Sequence, residues 1–208
     1  MSGARVRIAV IVYAALAALA TIGCALAGRS AWHLERTAWG SRLVSLPLAL
    51  ALGALVGLGT VIATRALSRR SRWGRALAAE LTAAVVGLDR RSVLWLAIAS
   101  ATGEELLFRG AIQSGLVDHG GLAQGLALTS LLFGAMHVPA NRRLVPWTLM
   151  AMVMGVVFGL LYVWTGEILA PLLAHAVVNY ANLHFLLDRS SAVSPHARRD
   201  DRRALPRS

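Results

Sequence analysis

The chain has 208 residues, of which 57% are hydrophobic and 15% charged, with a formal net charge of +11 and a mean hydropathy of +0.61. These values exclude a soluble globular domain and a disordered chain, and place it among polytopic membrane proteins. All 21 basic residues are arginines, and they cluster between and after the apolar runs, which points to anionic lipid headgroups and topology and not to nucleic acid.

The first apolar run covers about residues 8–28. Arg5 and Arg7 before it and Ala25-Leu-Ala27 within it also fit a cleavable signal peptide, but the run is long for that role and is expected to be a retained helix. Its Cys24 is the only cysteine, so no internal disulfide can form. Thr21 makes a poor lipoprotein site of the sequence around it. A second run spans 43–64. Between it and the next lies 69–91, where Arg69, Arg70, Arg72 and Arg75 precede Leu77, Leu81, Val85 and Leu88. That pattern predicts an amphipathic helix at the membrane surface. Further runs cover 92–117, 122–138, 144–164 and 168–187, the fourth run being short and ending at Pro139. From Asp188 the sequence is rich in Arg, Ser and Pro and is expected to be disordered.

The expected fold is therefore all-α, a bundle of about six spans plus one amphipathic interfacial helix. Residues 1–90 would hold two spans and the amphipathic connector, 91–187 the functional core, and 188–208 the tail. Arginines set the orientation. Arg5, Arg7, the 65–91 segment, Arg142, Arg143 and the tail fall on one side, and only Arg29, Arg36 and Arg42 on the other. This bias predicts both termini in the cytoplasm. Trp32, Trp39, Trp73, Trp147 and Trp164 lie near span ends and read as interface anchors.

Few polar side chains remain at depth: Glu104, Glu105 and Arg109 in the third run, His137 in the fourth with Phe133 one turn before it, and His175, Asn179, Asn182 and His184 in the sixth. An ionisable group at bilayer depth costs roughly 2.5–3.5 kcal/mol on insertion scales, so this set calls for a function. Glu105 and Arg109 are four apart and should pair along the helix, and His175 and Asn179 share a face for the same reason. Glu104 sits about 100° round the helix from Glu105 and is free to face a cavity. His184 is expected to be an ordinary interhelical contact, Asn182 interhelical glue, and Gly103, Gly110, Gly155 and Gly159 close helix contacts.

One carboxylate, two imidazoles and an amide are the parts of a hydrolase that activates water: a base, a group that shares or returns the proton, and donors to an oxyanion. Arg109 beside the glutamates would keep a carboxylate ionised. Zinc is the chemical alternative, bound by Glu104, His137 and His175, although no His-Glu-x-x-His is present. A proton-coupled transporter using the two glutamates would show matching broken helices in two halves, and no such repeat is visible. The depths disagree at one point. Glu104 is roughly 20 Å from Arg91 and His175 roughly 21 Å from Arg189 along a helix, while His137 is only about 8 Å from Arg142. The fourth span must be tilted or displaced, its arginines must snorkel, or the site must open to the cytoplasm.

The motifs Glu104-Glu105-Leu-Leu-Phe-Arg109, Phe133-Gly-Ala-Met-His137 and His175-Ala-Val-Val-Asn179, with Thr165-Gly-Glu-Ile-Leu-Ala-Pro171 leading into the last, occur in this order on separate runs. Together they resemble the CPBP family, the CAAX-protease and bacteriocin-processing group also called the abortive-infection family. The resemblance covers roughly residues 91–187, and residues 1–90 carry none of it. It implies an intramembrane endopeptidase of the glutamic type. Glu104 would activate water with His137, His175 and Asn179 would form the oxyanion site, and Glu105, Arg109 and Phe133 would support them. It implies no catalytic metal and no cofactor. The arginine-only, alanine-rich composition suggests a GC-rich bacterial genome, hence a bacterial inner membrane and a peptide or membrane-protein substrate. The rival from another class is a non-proteolytic immunity or regulatory binding protein of the same fold. A pure binder, however, has no need of a buried base.

Overall fold

The computed structural model describes residues 3–34, 44–139 and 141–203, with side chains described to residue 191. Trp39, Arg36 and Arg42 lie outside the described residues. Among those described, the elements are α1 (Gly3–Leu26), α2 (Leu46–Arg70), α3 (Arg72–Val85), α4 (Arg90–Glu105), a π-helical stretch (Leu106–Gln113), α5 (Ser114–Ala135), a 3-10 turn (Arg142–Leu144), α6 (Val145–Thr165) and α7 (Leu169–Arg203). The fold is all-α, as composition and periodicity predict. The only extended pairing among these residues is an isolated antiparallel bridge between His33 and Glu167.

Three helical segments are long and apolar enough to cross a membrane by length and composition: Gly3–Leu26, Leu46–Arg70 and Arg142–Thr165. The other expected spans are broken up by the polar residues that mark the site. Glu104, Glu105 and Arg109 interrupt the run through α4 and the π-helical stretch, and His175, Asn179, Asn182 and His184 dilute α7. Ile8, Ile11 and Leu19 on α1, Leu55 and Ile62 on α2, and Leu149 and Val153 on α6 are exposed. Large apolar side chains in that number on the outside of a bundle face lipid. The molecule is an integral membrane protein.

Local chemistry explains where the helices begin and end. Asp89 caps α4, its carboxylate accepting from the Ser92 N–H at 2.6 Å, and Ser71 caps α3 by accepting from Gly74 N at 2.9 Å. Pro47 falls in the first turn of α2, where its missing N–H costs no intrahelical bond. α6 stops at Gly166, whose φ of 69° puts it in the left-handed region. Gly121, with φ 83° and ψ 173°, breaks α5, close to the gap expected between residues 117 and 122. α3 follows the predicted amphipathic segment: Leu77, Ala78 and Val85 are buried while Trp73 is exposed.

Glycines set the helix spacing. A Cβ on Gly57 would lie 3.0 Å from Ala174 O, and Gly53 abuts the Ala170 carbonyl, so α2 and α7 run nearly backbone to backbone. A Cβ on Gly155 would lie 3.1 Å from the Ser130 Cα, which brings α6 onto α5. Gly103 packs on Tyr13 of α1 and Gly110 on Ala31. The glycines that the sequence marks as close contacts are close contacts here. α7 continues as helix from Asp188 to Arg203, where the sequence predicts disorder. Alanine and arginine are good helix formers and the preceding turns provide the nucleus. Residues 204–208 of that tail lie outside the described residues.

Candidate active site

The π-helical stretch carries the first half of the site. Arg109 Nη1 donates to Glu105 Oε1 at 3.2 Å and Nη2 to the Gly155 carbonyl at 3.0 Å. Both Arg109 and Glu105 are fully buried, and the guanidinium also lies over the Phe133 ring at 4.6 Å. One extra residue in the turn widens the helix, and such turns concentrate at functional sites. The sequence pattern identifies the Glu105–Arg109 pair but treats this stretch as ordinary α-helix.

Glu105 also takes the second half of the site: His175 Nδ1 is 2.7 Å from its Oε1. His175 is buried and stacks on Phe158, ring centres 4.9 Å apart. Its other nitrogen, Nε2, faces Glu104 Oε2 at 3.9 Å. His137 approaches the same oxygen, with Nε2 at 3.8 Å. The His137 Nδ1 meets the Phe133 carbonyl at 2.7 Å, which makes Nδ1 the protonated nitrogen and leaves Nε2 as an acceptor. Phe133 and Trp147 flank the His137 ring at 4.6 and 6.4 Å between centres. Glu104 Oε2 itself is buried and has no hydrogen-bond partner among the described residues.

The structure thus brings together Glu104, Glu105, Arg109, Phe133, His137 and His175. Asn179 lies one turn along α7 and donates through Nδ2 to Ser100 Oγ of α4 at 2.9 Å, so its amide is tied to the helix that carries Glu104. Asn182 pairs with Thr64 of α2 at 3.2 Å, as interhelical glue should. His184 meets Asp188 at 3.3 Å, away from the site. His137 resolves the depth conflict. α5 ends at Ala135, and His137 sits in the following turn and not on a helix rising from Arg142. Rise per residue does not apply across that turn. Among the described residues no group of three or more His, Cys, Asp or Glu side chains is arranged to hold a metal ion.

Several residues of the site escape sequence reasoning. Phe158 stacks on His175 and Trp147 on His137, Ser100 anchors Asn179, and the Gly155 carbonyl holds Arg109. Position near a span end marks Trp147 only as an interface anchor, and no periodicity distinguishes Phe158 from packing.

Residues 89–181 match the family described as Type II CAAX prenyl endopeptidase Rce1-like. Over that segment the chain is similar to the Rce1-like family. The family inferred from the motifs is borne out, and every motif residue of the site falls inside the matched segment. An uncharacterized protein of Bacillus subtilis (strain 168), YpbD, is 36% identical over 89 residues, which cover 42% of this chain and 41% of that protein. The chain therefore spans about two fifths of the length of the curated relative it matches. No solved structure matches. The Rce1-like segment begins at the Asp89 cap and ends two residues beyond Asn179. Helices α1, α2 and α3 precede it, and α1 and α2 nevertheless pack directly on its α4 and α7.

Proposed function

We propose that the protein is an intramembrane endopeptidase of CAAX-protease type in which Glu104 activates water. The carrying observation is the convergence of both Nε2 atoms, at 3.8 and 3.9 Å, on one unpartnered Glu104 oxygen. These separations are too long for direct hydrogen bonds, yet a water set off the line across either gap touches both of its groups at about 2.8 Å. Glu104 takes a proton from that water, and the oxygen adds to the scissile carbonyl carbon. The proton passes to the amide nitrogen as the C–N bond breaks, assisted by His137, and the products are a carboxylic acid and an amine.

Glu105 steadies the second imidazole. With His175 carrying both ring protons, Glu104, Glu105, Arg109 and His175 sum to zero charge, which is what a buried cluster requires. Nε2–H of His175 and the Asn179 amide then serve as donors to the oxyanion, the Asn179 amide after release from Ser100. The expected substrate is a bacterial peptide or membrane protein, reached in an inner membrane with anionic headgroups and with both chain termini in the cytoplasm.

The test is cleavage of a quenched-fluorescent peptide library by purified protein in detergent, with and without a strong zinc chelator, beside Glu104→Ala. Cleavage that survives chelation and vanishes in the variant is the expected result. Loss on chelation with recovery on adding zinc would replace it with the zinc-dependent mechanism. Cleavage undiminished in Glu104→Ala would remove Glu104 as the base.

A further inference from the structure

Tyr13 lies in α1, outside the Rce1-like segment, and eight residues on from Arg5, which is roughly 12 Å along the helix. A phenol hydroxyl at that depth is costly unless it finds a partner. Its side chain lies near enough to Glu104 for the two groups to interact. Backbone packing brings the two together. Gly103, the residue before Glu104, lies flat on α1, and a Cβ there would sit 2.6 Å from the Tyr13 carbonyl oxygen and 3.1 Å from its Cα. No larger residue at position 103 would let α1 come so close to the base.

The titratable and charged groups facing Glu104 come from every packed element: Tyr13 from α1, Glu105 beside it, Arg109 from the π-helical stretch, His137 after α5 and His175 from α7. Tyr13 brings a neutral hydroxyl donor to this set. It can hold the carboxylate in place without adding a cation that competes for the proton.

We propose that Tyr13 is a positioning residue for Glu104, its hydroxyl donating to the carboxylate so that Oε2 stays aimed at the histidine pair. The proposal rests on the protease reading of the site. It also means that the Rce1-like segment is catalytically incomplete without α1.

The test is Tyr13→Phe in the full chain, which keeps the ring and its packing. A hydrogen bond to a charged group corresponds to a drop in kcat of about tenfold to a hundredfold, with KM within about twofold because the substrate does not touch Tyr13. Tyr180→Phe, on an exposed stretch of α7, should leave both constants unchanged. An unchanged kcat in Tyr13→Phe overturns the proposal. Infrared difference spectra give a readout independent of turnover. The carboxylate stretching band that disappears in Glu104→Gln should shift in Tyr13→Phe, and an unmoved band overturns the contact. If the wild type cleaves no peptide, the protease reading falls while the band still decides whether Tyr13 holds Glu104.

Discussion

Glu104 and Glu105 are adjacent in sequence and opposite in circumstance. Glu105 Oε1 lies 3.2 Å from Arg109 and 2.7 Å from His175, and is fully enclosed. Glu104 offers an oxygen with no hydrogen-bond partner among the described residues to two imidazoles. Substitutions at the two positions should therefore separate chemistry from stability. Glu104→Gln is expected to abolish hydrolysis while thermal unfolding in detergent stays close to that of the wild type. A large fall in melting temperature would show that Glu104 is structural. Glu105→Ala and Arg109→Ala each strand a buried charge and should cost about 3–5 kcal/mol. Wild-type unfolding midpoints in these two variants would contradict the pairing.

At the scale of the element, the site depends on how closely helices approach. α2 carries no site residue, yet it sets the position of α7 through Gly53 and Gly57. Gly57→Val forces a branched side chain against Ala174 O and the Val177 Cβ, and overpacking of this kind costs about 1–3 kcal/mol. It should also reduce activity by displacing His175, one position beyond Ala174, and an active, fully stable Gly57→Val would refute that coupling. α4 depends on its cap. The Ser92 backbone N–H holds the exposed Asp89 carboxyl below the usual carboxylate range. A carboxyl whose folded pKa is depressed contributes stability above its unfolded pKa, and that contribution is lost as pH falls through the folded value. Amide exchange at Ser92 and Val93 should therefore accelerate in acid below the ordinary carboxylate range. Asp89→Asn, which caps without charge, should remove that pH dependence.

At the scale of the whole molecule, the arginine asymmetry predicts a definite orientation. Cys24 is buried against the Gly110 carbonyl at 3.5 Å, so single cysteines introduced elsewhere report cleanly. Asn141→Cys, in the exposed turn before α6, should be shielded from a membrane-impermeant maleimide in intact cells. Ala27→Cys, exposed after α1, should react. The reverse pattern would invert the topology and place the site's opening on the other face. The connection after α1 is well tied: Leu34 N donates to Gly166 O and Ile168 N to Trp32 O, both at 2.9 Å. The lead-in from Thr165 to Pro171 is thus fastened to the loop after α1, which links the family motif to a segment outside it.

The helical class and the Glu105–Arg109 pair are legible in the sequence because each follows from short-range rules: apolar length and the four-residue spacing of one helix face. The family is legible for a related reason, since three motifs in a set order survive without coordinates. The convergence itself is not. His137 reaches Glu104 from a turn, the π-helical stretch carries Arg109, and Trp147 and Phe158 of α6 flank the histidines from a helix farther along the chain than Glu104. Composition and periodicity specify what each segment is. Which faces meet is decided by the backbone contacts at Gly53, Gly57, Gly103 and Gly155, and close packing between segments distant in sequence leaves no local pattern to read.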